Sequence, residues 1–198
     1  MRTSNKTTIF VLLTILIAVA LGVVSYQFRQ PSPGLWPLLS FMLVALLLDQ
    51  SSTSLKVEAK GSTSFVVHIA AGILFGGWWG GLITAISTVI GQLTIGNPPL
   101  RLLFNVCQRA AAVMLAVLTY HLLGGSLPPA YLQVVGSVNS SALQRDFFLF
   151  FAYAATYFAV NSMAVSGVVA ISSERSFRDV WNLNTRGVIA YDLGASGI

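Results

Sequence analysis

Between Lys60 and Arg101 the chain runs for 40 residues, Gly61 to Leu100, without an Asp, Glu, Lys or Arg, and Gly76-Gly77-Trp78-Trp79-Gly80-Gly81 lies near the centre of that stretch. A single helix of that length would be ~60 Å long at ~1.5 Å per residue. The hydrocarbon core of a bilayer is only ~30 Å thick. Two spans folded back on each other at the glycines is the simplest solution, and it makes the chain a polytopic membrane protein.

Composition agrees: 55% of the residues are hydrophobic and 9% charged, where a soluble domain carries about 25% charge. The net charge of +5 comes from basic residues scattered singly, which is not the clustered footprint of a nucleic-acid binder. The one cysteine, Cys107, rules out an internal disulfide. Six acids and two histidines leave little material for an active site.

Gaps between charges and the Pro/Gly breaks place spans at approximately 8–28, 35–48, 65–78, 80–95, 102–123 and 147–172. The reading is an all-α polytopic membrane bundle of six transmembrane helices plus a truncated seventh. That seventh apolar stretch runs from Gly187 to Ile198, 12 residues, where a span needs ~20. The expectation is a fragment of a longer protein, with an interfacial or re-entrant segment as the alternative. The link from Asp49 to Ser64 is readable as strand, interfacial helix or loop.

With a cytoplasmic N-terminus, Arg2, Lys6, Lys56, Lys60, Arg101, Arg109, Arg175, Arg178 and Arg186 fall inside, and Arg29 and Arg145 outside. That asymmetry obeys the positive-inside rule and supports the even number of crossings. Arg2 and Lys6 before an apolar run, with Ala18-Val19-Ala20 after it, imitate a secretory signal. The run is long for a signal core, however, and is read as a retained first helix.

Gly72, Gly76 and Gly80 recur every four residues, as do Gly77 and Gly81. Small residues at this spacing let helices approach closely in lipid. Intrachain packing is the first reading of these glycines and a homodimer face the second. Trp78 and Trp79 suit an interfacial aromatic belt.

Polar residues inside a membrane are costly and need a reason. Arg101, Asn105 and Arg109 repeat every four residues on one helix face, with Gln108 beside the last. Arg109 is placed either to snorkel to the interface or to pair with Asp49 or a ligand anion. His68 is either a satisfied packing residue or a ligand-sensing group. Asn105 and Asn161 read first as glue between helices. Gln92 and Asp192 stand alone and carry no reading. No phosphate loop, metal-ligand spacing or nucleophile elbow occurs, so no catalytic residue, metal or cofactor is expected.

With the spans placed, the order Gly61-Ser62-Thr63-Ser64-Phe65, Leu74-Phe75-Gly76, Pro98-Pro99-Leu100-Arg101, Leu103-Phe104-Asn105 with Gln108, and Asn161 resembles the N-terminal multi-span sensor region of bacterial signalling proteins. Such regions are most often attached to HD-GYP phosphodiesterases or GGDEF cyclases of the cyclic-di-GMP system. The likeness covers the chain from about Gly61 onward; Met1 to Lys60 shares only hydropathy. It implies a sensor in the bacterial inner membrane, with lipid and an attached cytoplasmic output domain as partners. Within it Asn105, Gln108, Arg109, His68 and Asn161 are the ligand-binding or switch candidates. The chain also resembles, in size and in its glycine-rich turn, the substrate-capture subunits of energy-coupling-factor vitamin transporters, though it has no recognisable vitamin-binding loop.

Overall fold

The computed structural model describes residues 5–51, 64–127 and 140–183, and among them every regular element is a helix. Five long helices carry the chain: α1 (Asn5–Gln27), α2 (Leu35–Ser51), α3 (Phe65–Thr94), α4 (Pro99–Leu122) and α5 (Ser140–Ser173). A short helix follows at 177–183. Four segments, Asn5–Gln27, Phe65–Thr94, Pro99–Leu122 and Gln144–Ser173, are long and apolar enough to cross a membrane, and Leu35–Asp49 is a shorter apolar helix. The 52–63 link and the apolar stretch from Gly187 lie outside the described residues.

α3 is not one rod. Gly76 interrupts it at φ 81°, ψ 173°, a region essentially closed to residues with a side chain. His68 and Ser87 would be ~28 Å apart along a straight helix, yet His68 Nε2 lies 3.3 Å from Ser87 Oγ. Gly80 likewise lies against Gly72: a Cβ on Gly80 would sit 2.6 Å from the Gly72 Cα. The chain therefore doubles back at Gly76 into two antiparallel arms in contact at their glycines. The turn falls at Gly76 because the backbone there needs a positive φ. This leaves a first arm of 65–75, only ~16 Å long, and a second of 77–94, ~27 Å.

Each of the other spaced glycines admits a different neighbour. Gly72 faces Val113 of α4 and Tyr153 of α5, Gly77 faces Ser25 of α1, and Gly81 faces Met114 of α4. Gly72, Gly77, Gly80 and Gly81 thus each lie against another part of the chain, while Gly76 makes the reversal. Trp79 donates its indole N–H to Gln30 O at 2.9 Å, and Trp78 packs edge-on to Tyr26 with ring centroids 5.0 Å apart. The α1–α2 turn, the α3 reversal and the C-terminus of α4 consequently share one end of the bundle, where Phe28 also meets His121.

α3 and α4 form the centre. Phe65, Ile69 and Ile73 of the first α3 arm, Val113, Val117 and Tyr120 of α4, and Tyr153 and Tyr157 of α5 make one buried cluster. Only 6% of the apolar window of α1 is buried, against 50% for those of α3 and α4. Its Ile9, Leu12, Leu16 and Val19 are exposed, which a lipid-facing helix tolerates because acyl chains are as apolar as leucine. α2 is peripheral too and packs mainly on α3, with Phe41 edge-on to Phe75.

Candidate functional site

Asp49 lies in the last turn of α2, two residues before its end at Ser51, whereas Arg109 is about 15 Å along α4 from Pro99, well inside that helix. They meet. Arg109 Nη1 is 3.3 Å from Asp49 Oδ1, with side-chain exposures of 18% and 8%. Arg109 therefore spends its charge on a carboxylate inside the bundle. Ser64, fully buried before the first turn of α3, donates its hydroxyl to the same Asp49 Oδ1 at 3.0 Å. Ser64 is also the N-cap of α3 and makes no side-chain cap bond there. The positive end of the short arm thus begins beside the carboxylate, an arrangement that favours negative charge and resembles the ion-holding half-helices of transporters. On the other side Gly91 leaves room: a Cβ there would come within 2.8 Å of Asp49 Oδ2.

His68, one turn further along the arm, is buried at 1% exposure. Ser87 Oγ donates to Thr84 O at 3.2 Å and lies 3.3 Å from His68 Nε2. With the serine proton committed to Thr84, the histidine Nε2–H donates to Ser87. His68 Nδ1 is then a buried acceptor with no hydrogen-bond partner among the described residues, as is the oxygen of neighbouring Thr88. An orphaned polar atom in such a place is expensive.

The remaining candidates separate. Asn105 donates to Gln92 Oε1 at 2.7 Å, and Asn97 donates to the same oxygen at 2.8 Å. Asn105 therefore closes the turn between α3 and α4, and Gln92, uninterpretable in sequence, is its hub. Arg101 is exposed. Gln108 is buried on another face of α4, towards α1 and α5. Asn161 is half-buried on α5 and makes no hydrogen bond among the described residues. The structure thus brings Asp49, Ser64, His68, Ser87 and Arg109 into one polar centre. Gln108 and Asn161 are elsewhere. Sequence reading found the two charges and the histidine but not Ser64, Ser87 or Gln92, since a single neutral polar residue leaves no periodic signal. Among the described residues no three His, Cys, Asp or Glu side chains gather as a metal site.

The family model for MASE9, a group of membrane-associated sensory domains, matches residues 1–193. The chain belongs to the MASE9 family. The MASE9 match includes α1 and α2, which the sequence had tied to a sensor by hydropathy alone. Neither a curated protein nor a solved structure matches the chain.

Proposed function

We propose that this MASE9 chain is the input region of a bacterial inner-membrane signalling protein, and that the Asp49–Arg109 pair is its switch. The sequence reading of six crossings maps onto α1, α2, the two arms of α3, α4 and α5 with a cytoplasmic N-terminus; the first arm of α3, ~16 Å long, covers only part of a ~30 Å hydrocarbon core. The basic residues favour that orientation. The output is a cytoplasmic C-terminal domain, of the HD-GYP phosphodiesterase or GGDEF cyclase type that the sequence resemblance implies.

The observation that carries the reading is the ion pair: Arg109 Nη1 lies 3.3 Å from Asp49 Oδ1, inside an apolar bundle, joining peripheral α2 to central α4. Lipid provides little force to hold one apolar helix on another, so a polar latch decides where α2 sits. Any stimulus that removes the Asp49 charge, or brings a competing anion to Arg109, releases the latch. At an effective dielectric of 20 and this distance the attraction is ~5 kcal/mol, and desolvation of both groups offsets much of it. A remaining coupling of about 2 kcal/mol shifts a two-state population ~30-fold.

The test is a double-mutant cycle of Asp49→Asn and Arg109→Met in the protein carrying its native output domain. Each single substitution is expected to change output and to destabilise the bundle, and the double to recover part of both. Full additivity, with output unchanged by either substitution in properly inserted protein, would remove the pair from the mechanism.

A further inference from the structure

A second feature lies away from the ion pair. α1, α4, α5 and the short helix at 177–183 line an open groove of about 530 Å³ whose walls include Phe10, Leu13, Ala164, Gly167 and Phe177. Its volume is within the ~300–1,000 Å³ range of small-molecule sites. No lining residue is charged, and Gln108 is the lone amide among them. Gln108 is only 3% exposed, and its Oε1 has no hydrogen-bond partner. Neither end of this amide is bonded to another described residue. The other polar side chain in the wall, Thr14, already gives its proton to Phe10 O at 2.9 Å. An unpaired amide facing an apolar groove is costly when the groove holds nothing but hydrocarbon.

We infer that this groove binds a membrane-soluble amphiphile with a long apolar body and an uncharged hydroxyl head, and that Gln108 holds the head. An anionic or cationic head would be buried against uncharged walls with no counter-ion, which is far more costly. A hydroxyl both donates and accepts, and so satisfies the amide whichever way it is turned. The site does not depend on the switch proposed above. It is placed to act on it, because Gln108 and Arg109 are consecutive on α4.

The test uses the full chain in lipid nanodiscs and a long-chain alcohol carrying a photoreactive diazirine. Labelling is expected to saturate, to map to α1, α4 or α5, and to be displaced by the unlabelled alcohol but not by the alkane of equal length. Gln108→Leu keeps the volume and removes the amide; it should weaken labelling about tenfold, the worth of one buried hydrogen bond. The same substitution should leave the unliganded protein equally or more stable, since it deletes an unpaired polar group. Ala164→Phe, which fills the groove, should abolish labelling. Equal competition by the alkane on the unaltered protein would show an ordinary acyl-chain surface and overturn the inference. So would undiminished labelling of a folded Gln108→Leu protein. Because the readout is binding, failure here leaves the ion-pair switch standing, and an inert ion pair leaves this site standing.

Discussion

Two helical glycines on neighbouring helices should respond in opposite directions to the same methyl group. A Cβ on Gly80 would lie 2.6 Å from the Gly72 Cα, 2.8 Å from the Gly72 nitrogen and 3.1 Å from the Ala71 carbonyl carbon. All three are backbone atoms, which cannot rotate aside. Carbon atoms pack best at ~3.5–4.0 Å, so the arms of α3 must part locally by about 1 Å, and a gap of that size forfeits a quarter to a half of each dispersion contact it opens. The 3.3 Å contact between His68 and Ser87 would also stretch beyond hydrogen-bonding range. Overpacking of this kind costs ~1–3 kcal/mol, and the better helix propensity of alanine returns ~1 kcal/mol at most. Gly80→Ala is therefore expected to destabilise by up to about 2 kcal/mol once the propensity gain is subtracted.

Gly22 is the control. A Cβ there would meet nothing within 4 Å, so Gly22→Ala keeps the propensity gain and should stabilise by up to ~1 kcal/mol. Unfolding of the purified chain by denaturing detergent, followed through tryptophan fluorescence, reads both. Equal stabilities of the two variants would refute the close approach of the arms and, with it, the hairpin.

Gly76→Ala should cost about 1–3 kcal/mol in the same titration, because its φ of 81° with ψ 173° strains any residue with a side chain. A cost no larger than that of alanine at Gly22 would mean the reversal lies elsewhere. Tyr153→Phe removes a bond from the tyrosine hydroxyl to Ile69 O at 2.8 Å. A loss of about 1 kcal/mol is expected, with faster hydrogen exchange in the first arm of α3; unchanged exchange would mean that α5 does not hold the arm through this bond.

What was legible in the sequence follows from what membranes penalise. Charge is so costly in lipid that 40 residues without it, Gly61 to Leu100, announce more than one crossing's worth of helix. The same penalty singled out Arg109, with Asp49 as one possible partner, and spacing singled out the packing glycines. The position of the reversal was less legible, because four glycines in Gly76 to Gly81 could each have supplied it. Nothing in composition says which takes a positive φ. Helix ends also moved. α4 begins at Pro99 rather than at 102, since proline is well suited to the first helical position. α5 begins at Ser140 rather than at 147, since its first residues continue the helix beyond the apolar window. Gln108 was grouped with Arg109 because it is adjacent, but at ~3.6 residues per turn consecutive side chains diverge by about 100°. That divergence sends one residue to the ion pair and the other to the groove.

The arm of α3 over 65–75 gives the proposed switch a mechanical form. Its N-terminal end is tied to α2 through Ser64 and Asp49, 3.0 Å apart. Its far end is Gly76, the residue whose backbone departs from helix. Between them Ile69 O accepts the Tyr153 hydroxyl of α5, so the arm cannot pivot at Gly76 without moving or breaking a contact to α5. α1 is a poorer candidate for the moving part: Val11 is almost fully enclosed, Phe10 touches Phe104, and Tyr26 is wedged against Trp78. α2 has Asp49 as its one buried charge and packs mainly on α3, touching the first arm through Phe41 and Phe75 and the second where Gly91 faces Asp49. Loss of the carboxylate charge would therefore free the arm where it is latched and pull where α5 is bonded. α5 is the last long helix among the described residues, and in the proposed switch it is the element through which such a displacement would leave the bundle.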